Sequence, residues 1–364
     1  MTQEEILQQL DHFNPLDYAK TRNFTNGAVT GLSPYISRGV IDTKTILEHL
    51  IQRGFKFYQL EKFVQQMAWR EYFQRIWQGK GNGINHDLKN DQEAKFHRGM
   101  PLAVHEANTG IEAIDQGIRE LKSNGNMHNH MRMYTAFLSA NLASFHWADP
   151  ARWMYYHLLD GDWASNALSW QWVAGTFSHK KYIANQDNIN HYAQSTQKRT
   201  YLDVEYDALL TSPAPEVLLT ACTPDLATPL PSTKQLVLDQ GLPTLVYNYY
   251  NLSPTWRKDE HANRVLILEP KVFEDYPVSK ACIDFALKLS ENIDGIQFFT
   301  GSFAELKNLA GPSALVYREH PLNKHYSGIQ DERTWMLNDP STAEGSFFSF
   351  WKKFEKRLIK EYFS

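Results

Sequence analysis

The sequence predicts a mainly α fold in which a multi-helical domain is followed by a smaller α/β, Rossmann-like domain. Three observations predict it. Apolar residues recur at helical spacing over 43–54 and 57–77. The stretch 127–172 continues in helical character, with Met127, Met131 and Tyr134 on one stripe. Beyond Pro213 and Pro215 that pattern gives way to apolar runs of strand length: Val217 to Ala221, Thr244 to Tyr250, Arg264 to Leu268, Ile296 to Thr300 and Leu315 to Arg318. A helix at Val278 to Glu291 lies between two of them, and strands alternating with helices argue a parallel sheet. No G-x-G-x-x-G follows any of these strands, so no dinucleotide site of Rossmann type is expected there. The expected domains are therefore 1–212, 213–340 and a C-terminal amphipathic helix within 341–364.

In chain order, residues 1–20 read as a short amphipathic helix and a loop at Asn14-Pro15. Turn residues Asn26-Gly27 and Gly31 follow, and Ser33-Pro34 starts a helix, since proline is tolerated in a first turn. Backbone amides and hydroxyls near such a start suit an anion, and they equally suit a plain helix cap. The helix over 57–77 carries AWREYF, and a Gly/Asn/Asp/Lys-rich loop occupies 79–99. After Trp172 the chain is polar and aromatic, with a basic cluster at His179, Lys180 and Lys181 that reads as a solvated face or a phosphate contact. The last helix, expected at Ser349 to Phe363, places Phe350, Trp351, Phe354, Leu358 and Tyr362 on one stripe with lysines between.

Composition bounds what these elements serve. With 364 residues, 42% hydrophobic and 13% aromatic, the chain is long enough for two packed domains. Acidic residues stand where a signal peptide needs basic ones, and no apolar run approaches about 18 residues, so the expectation is a cytoplasmic protein without a membrane partner. Cys222 and Cys282 stand far apart, which excludes a disulfide framework and a four-cysteine iron–sulfur cluster; no metal site is expected. Residues 1–200 hold 21 Lys and Arg against 19 Asp and Glu, and 11 of the 14 histidines, while the remainder holds 16 against 22. A basic surface for nucleic acid is thus permitted in the first part.

The chemistry concentrates in 127–172. His128 and Arg132 stand four apart and share a helix face, and Asp160 and Asp162 flank a glycine at which the chain can turn tightly. Asn166 adds an amide with donor and acceptor, and Trp170 and Trp172 follow. Such a set suits a flat ring with a polar edge, and it also suits a helical core with polar caps.

MHNHMRM, Trp147 ahead of DGD, and DGDxxxNxxxWQW resemble the flavin-binding signature of the DNA photolyase/cryptochrome family. YAKTRNF, TGLSPYISRGV, AWREYF and TGIEAIDQGIREL fall in that family's order. The resemblance implies non-covalent FAD in the helical domain, held by Tyr18, Thr30, Leu32, Ser33, Asn129, Arg132, Asp160, Asp162 and Asn166, with Thr30, Leu32 and Ser33 at the diphosphate. It also implies that Trp170 and Trp147 are the proximal and middle members of an electron-transfer chain, and that Gln66, Trp69, Met133 and Trp172 contact the lesion. The activity implied is light-driven repair of pyrimidine dimers in damaged DNA, with Gln66 and Asn166 taking part in the chemistry; the alternative is a blue-light or redox sensor acting on a protein partner. Gln66 replaces the glutamate common in cyclobutane-dimer enzymes, whereas Asn129 matches that type, and Asn166 matches repair enzymes. Ala94 falls where a distal tryptophan is expected, Asn126 replaces another tryptophan, and Gly31 replaces a larger or basic residue. The family's antenna domain comes first, whereas here the similar stretch, RVLILEPKVF onward, follows the helical domain as if permuted; it does not indicate an antenna chromophore.

Overall fold

The structure is a computed structural model that describes all residues except 179, 210, 234, 339–344 and 364. His179 of the basic cluster and the expected boundary at 340 lie outside the described residues. The helices of eight residues or more are α1 (Gln3–Asp11), α2 (Thr43–Gln52), α3 (Phe57–Lys80), α4 (Glu112–Asn124), α5 (Asn129–Ala136), α6 (Ala148–His157), α7 (Trp163–Ala174), α8 (Gln186–Ala193), α9 (Lys280–Ser290), α10 (Phe303–Ala310) and α11 (Phe347–Tyr362). A parallel sheet is built from β1 (Thr244–Tyr247), β2 (Asn263–Leu268), β3 (Ile296–Thr300), β4 (Leu315–Arg318) and β5 (Ile329–Asp331). The fold is mainly α with a smaller α/β part, as the periodicity predicts. None of the described helices is long and apolar enough to cross a membrane.

The chain divides into two compact units, and they do not follow the expected boundaries: Met1–Pro15, Thr30–Gly79 and Ala227–Ser364 form one, Leu16–Val29 and Lys80–Leu226 the other. In the first unit the strand order is β3-β2-β1-β4-β5, every neighbouring pair parallel, with Thr244 opposite both Asn263 and Leu315. β1, β2 and β4 are near-continuous apolar runs because such a sheet is covered on both faces. Val246, Val265, Ile267 and Phe299 pack with Phe303 and Leu306 of α10 and with Tyr317 and Tyr326. What draws α3 to this unit is side-chain bonding to the segment after β5. Buried Glu71 accepts from Thr43 Oγ1 at 2.6 Å and from Met336 N at 2.7 Å, Arg75 donates to Leu337 O at 3.0 Å, and Arg333 donates to Gln74 at 2.6 Å. The strand expected at Val217 to Ala221 is not in the sheet: Glu216–Leu218 is a 3-10 turn, and only Ala221–Cys222 pairs, antiparallel with Met100–Pro101. Pro213 and Pro215 precede it, and Val217 and Leu219 are exposed, so nothing rewards an extended buried run.

In the second unit α4 begins where Asp115 gathers Thr109 N and Oγ1 (2.8 Å each) and Gly110 N (3.2 Å), which gives the TGIEAID motif its physical meaning as a helix start. Gly117 of α4 is required by close packing, since a Cβ there would lie 2.9 Å from Met131 of α5. After α5 the chain makes one π-helical turn, Phe137–Leu142, before α6. α7 ends at Gly175, whose φ of 85° suits a left-handed helix stop.

Candidate functional site

The second unit carries the densest set of candidates, on the amino-terminal turns of α5 and α7. His128 does not share the helix face with Arg132; it is the N-cap of α5 and accepts from His130 N at 3.2 Å. Its Nδ1 is therefore unprotonated in the neutral ring, and Nε2–H donates to Arg22 O at 3.2 Å. Burial foremost, then the neighbouring Arg132 charge, keeps that ring below the usual histidine range. His130 is pushed down to about 4, by burial and then by His128 and Arg22. Both imidazoles are neutral near pH 7, so the fixed positive charge of this region comes from Arg132 and Arg22.

Arg132 donates from Nη2 to both oxygens of Asp160, at 3.0 and 2.9 Å, and from Nε to Met127 O at 2.8 Å. The Asp160 side chain is 9% exposed and that of Arg132 25%. This pair ties α5 to the turn before α7. Gly161 is required in that turn, because a Cβ would meet Leu158 O at 2.9 Å. Asp162, the N-cap of α7, accepts from Ser165 N at 2.7 Å; its predicted partnership with a ligand edge is thus shared with helix capping. Buried Asn166 donates to Ala151 O at 2.8 Å, which anchors its amide against α6. Asn129 is exposed, and its amide reaches the Met133 sulfur at 3.6 Å. Tyr18, half-buried, lies in the same unit with Arg22 6.0 Å from its ring centroid, and burial raises its hydroxyl pKa.

Of the tryptophans, Trp170 and Trp147 are buried, while Trp172 is 38% exposed and rests near Tyr182 at 5.8 Å. The Trp147 indole donates to Asp87 Oδ1 at 2.6 Å, and Asp87 also faces His146 at 3.4 Å. The loop bearing Asp87 is held by α7: Gln171 donates to Ile84 O at 2.9 Å and Trp163 to Asn85 at 2.7 Å. Sequence reasoning missed Asp87, because a lone carboxylate in a Gly/Asn-rich loop has no periodicity to mark it. Phe96, two residues beyond Ala94, stacks on Phe145 at 4.4 Å.

Thr30, Leu32, Ser33, Gln66 and Trp69 belong to the first unit. Ser33 opens a short helix, Ser33–Ser37, whose N-cap Leu32 is buried, and Thr30 O accepts from Gln9 at 2.7 Å. Gln66 and Trp69 lie half-buried on α3. One face of Trp69 is occupied by Phe347 of α11, with ring centroids 3.5 Å apart and planes at 11°. The expected role of Trp69 as a base-stacking surface is thereby confined to the remaining face.

The donor set of the second unit, an exposed amide, an ion pair of low exposure, a buried amide and an accessible indole, has the chemistry to hold a flat ring with hydrogen-bonding edges. Residues 63–203 match the family described as the FAD binding domain of DNA photolyase. A deoxyribodipyrimidine photo-lyase of Alkalihalophilus pseudofirmus is 31% identical over 169 residues, covering 43% of this chain and 34% of that protein. The mitochondrial deoxyribodipyrimidine photo-lyase of Saccharomyces cerevisiae is 30% identical over 196 residues, covering 48% and 34%. The chain thus spans about a third of the length of the curated relatives it matches. Among solved structures, an archaeal photolyase from Sulfolobus tokodaii with two FAD molecules is 25% identical, with a TM-score of 0.44 over 52% of this chain and 44% of that one. A Synechocystis cryptochrome is 21% identical, with a TM-score of 0.44 over 52% and 43%.

Proposed function

We propose that this chain, whose residues 63–203 match the FAD binding domain of DNA photolyase, is of the photolyase/cryptochrome family, holds FAD non-covalently and serves light-driven repair of pyrimidine dimers in DNA. The observation that carries the reading is the Arg132–Asp160 pair, a fixed cation held with its carboxylate between α5 and the turn before α7. Bound FAD supplies a blue-light absorber that gives and takes single electrons. Arg132 favours negative charge on a ring edge beside it, because a charge counts for more where water is excluded. Asn166 offers a hydrogen bond without a titratable proton. Tyr18, Asn129 and Asp162 of the same unit remain further FAD-binding residues in this proposal.

Buried Trp170 and Trp147 serve as electron donors. The Asp87 carboxylate at Trp147 Nε1 stabilises positive charge on that indole and accepts its proton when the ring is oxidised. Trp172 and Met133 provide apolar contact to a flipped base pair, whose extrusion costs a few kcal/mol and least at a damaged step. Gln66 donates a hydrogen bond to a base but delivers no proton as an acid would. Damaged DNA is the partner under this reading, and cytoplasmic residence belongs to the same proposal.

A second reading, a light or redox sensor signalling to a protein, is favoured by the Trp69–Phe347 stack, which covers a face that a lesion would use. Titrating the flavin-free chain with FAD, followed by blue light under anaerobic conditions, tests what the two readings share. Saturable quenching of flavin fluorescence and bleaching of the oxidised flavin band are expected; no saturable binding refutes both.

A further inference from the structure

The sheet of the first unit reverses its strand order between β1 and β4, and open parallel sheets bind ligands outside the carboxyl ends of their strands at such a reversal. A cavity of about 100 Å³ lies there, lined by Asn251 after β1, Arg318 and His320 at the end of β4, Arg70 and Glu71 of α3, and Arg333. One water needs roughly 10–15 Å³ of such space, so there is room for a group of several heavy atoms.

Polar groups at this cavity are left unsatisfied. Among the described residues, Arg318 Nε, His320 Nε2, both amide atoms of Asn251 and Glu71 Oε2 are buried without a hydrogen-bond partner. His320 and Asn251 are each 5% exposed. His320 Nδ1 accepts from Leu322 N at 3.2 Å, so in the neutral ring the proton sits on Nε2, a donor with no acceptor. Burial, and after it the positive charges of Arg333, Arg70 and Arg38, keeps that ring neutral, well below the usual histidine range. The same charges make the surroundings of Nε2 electropositive. Of the three carboxylates lining the cavity, Glu319 pairs with Arg333 at 2.7 Å, Asp42 caps α2 through Thr45 N at 2.8 Å, and Glu71 accepts from Thr43 and Met336 through Oε1 while its Oε2 has no partner. Buried polar groups ordinarily have partners, and three orphaned N–H donors on residues that line one cavity call for acceptor oxygens.

We propose that this cavity binds a small oxyanion, a phosphate or carboxylate group, accepting from Arg318 Nε, His320 Nε2 and Asn251 Nδ2. The assignment is independent of the flavin reading, since none of these residues belongs to the proposed FAD set.

Calorimetric titration of the full chain with inorganic phosphate, and separately with acetate, at constant ionic strength tests it. One-site saturable binding of either anion is expected, and the preferred anion identifies the source. In His320→Phe, which keeps an aromatic ring against Tyr250 (4.4 Å in the native stack) but removes the donor, and in Arg318→Gln, Kd should rise about tenfold or more. If circular dichroism shows that either variant fails to fold, Asn251→Asp carries the same test by setting a negative charge at the cavity. Absence of saturable binding by both anions means the donors are met by water alone and overturns the proposal. Binding undiminished in the folded variants overturns it equally, because the anion then sits elsewhere.

Discussion

Replacing Asp160 by Ala removes the carboxylate that holds Arg132 through two contacts of 3.0 and 2.9 Å. Arg132 keeps its bond to Met127 O at 2.8 Å, so the guanidinium stays near its place but loses its counter-charge. Exposed ion pairs contribute about 0–1 kcal/mol, whereas leaving a buried partner alone costs about 3–5 kcal/mol. With side chains 9% and 25% exposed, this pair lies between those limits, and a loss of about 2 kcal/mol in folding stability is expected. If Asp160 also orients a ring edge, a charge-assisted hydrogen bond worth about 1.5–3 kcal/mol is lost from binding, a rise in the FAD Kd of about 10- to 100-fold. Denaturant unfolding of the flavin-free protein measures the first quantity and FAD titration the second. Asp160→Asn retains an acceptor without the charge and should fall between Ala and the native residue in both. A variant that loses the stability but binds FAD with unchanged Kd would refute the reasoning, because the pair would then be a helix tie alone.

Further expectations can be checked independently. Asp87→Asn should slow anaerobic photoreduction several-fold by withdrawing the charge 2.6 Å from the Trp147 indole, without changing FAD affinity; an unaltered rate would remove Trp147 from the electron path. Burial foremost pushes Glu71 from an ordinary 4.5 up to about 7, against the opposing bonds from Thr43 and Met336. Between those pH values the folded state holds a proton that the unfolded chain has released, so stability falls as pH rises from about 4.5 to about 7, by up to about 3 kcal/mol, and levels off above. In Glu71→Gln that descent should vanish from the difference between variant and native unfolding curves; a native-like slope contradicts the assignment. Phe347→Ala should destabilise the protein by about 3 kcal/mol, through loss of a buried ring and its stack on Trp69, and loss of under about 1 kcal/mol would mean that α11 is not docked there.

Much of the fold was legible because it rests on periodicity. α2, α3, α9 and four of the five sheet strands appear near the expected positions, since helical stripes and buried apolar runs write themselves into spacing. β5, Ile329–Asp331, was not legible: its three residues are largely exposed and carry no apolar alternation. The division into units was hidden too, because it depends on single polar links such as Glu71 with Met336 and Arg333 with Gln74, which no local pattern announces. Within the candidate site, Arg132 and Asp160 were both expected from the motif to serve one site, and the two groups do meet. His128 shows the opposite case: a spacing of four placed it on a helix face, but its own side chain accepts from His130 N and starts the helix there.

The most direct measurement is anaerobic illumination of the FAD-loaded protein with an oligonucleotide containing a pyrimidine dimer, following the ultraviolet absorbance of the restored bases alongside the flavin spectrum. Repair is the predicted result: base absorbance returns with light and does not return in the dark. Reduction of the flavin with no restored bases would contradict the repair claim, leaving the sensory reading that the Trp69–Phe347 stack favours.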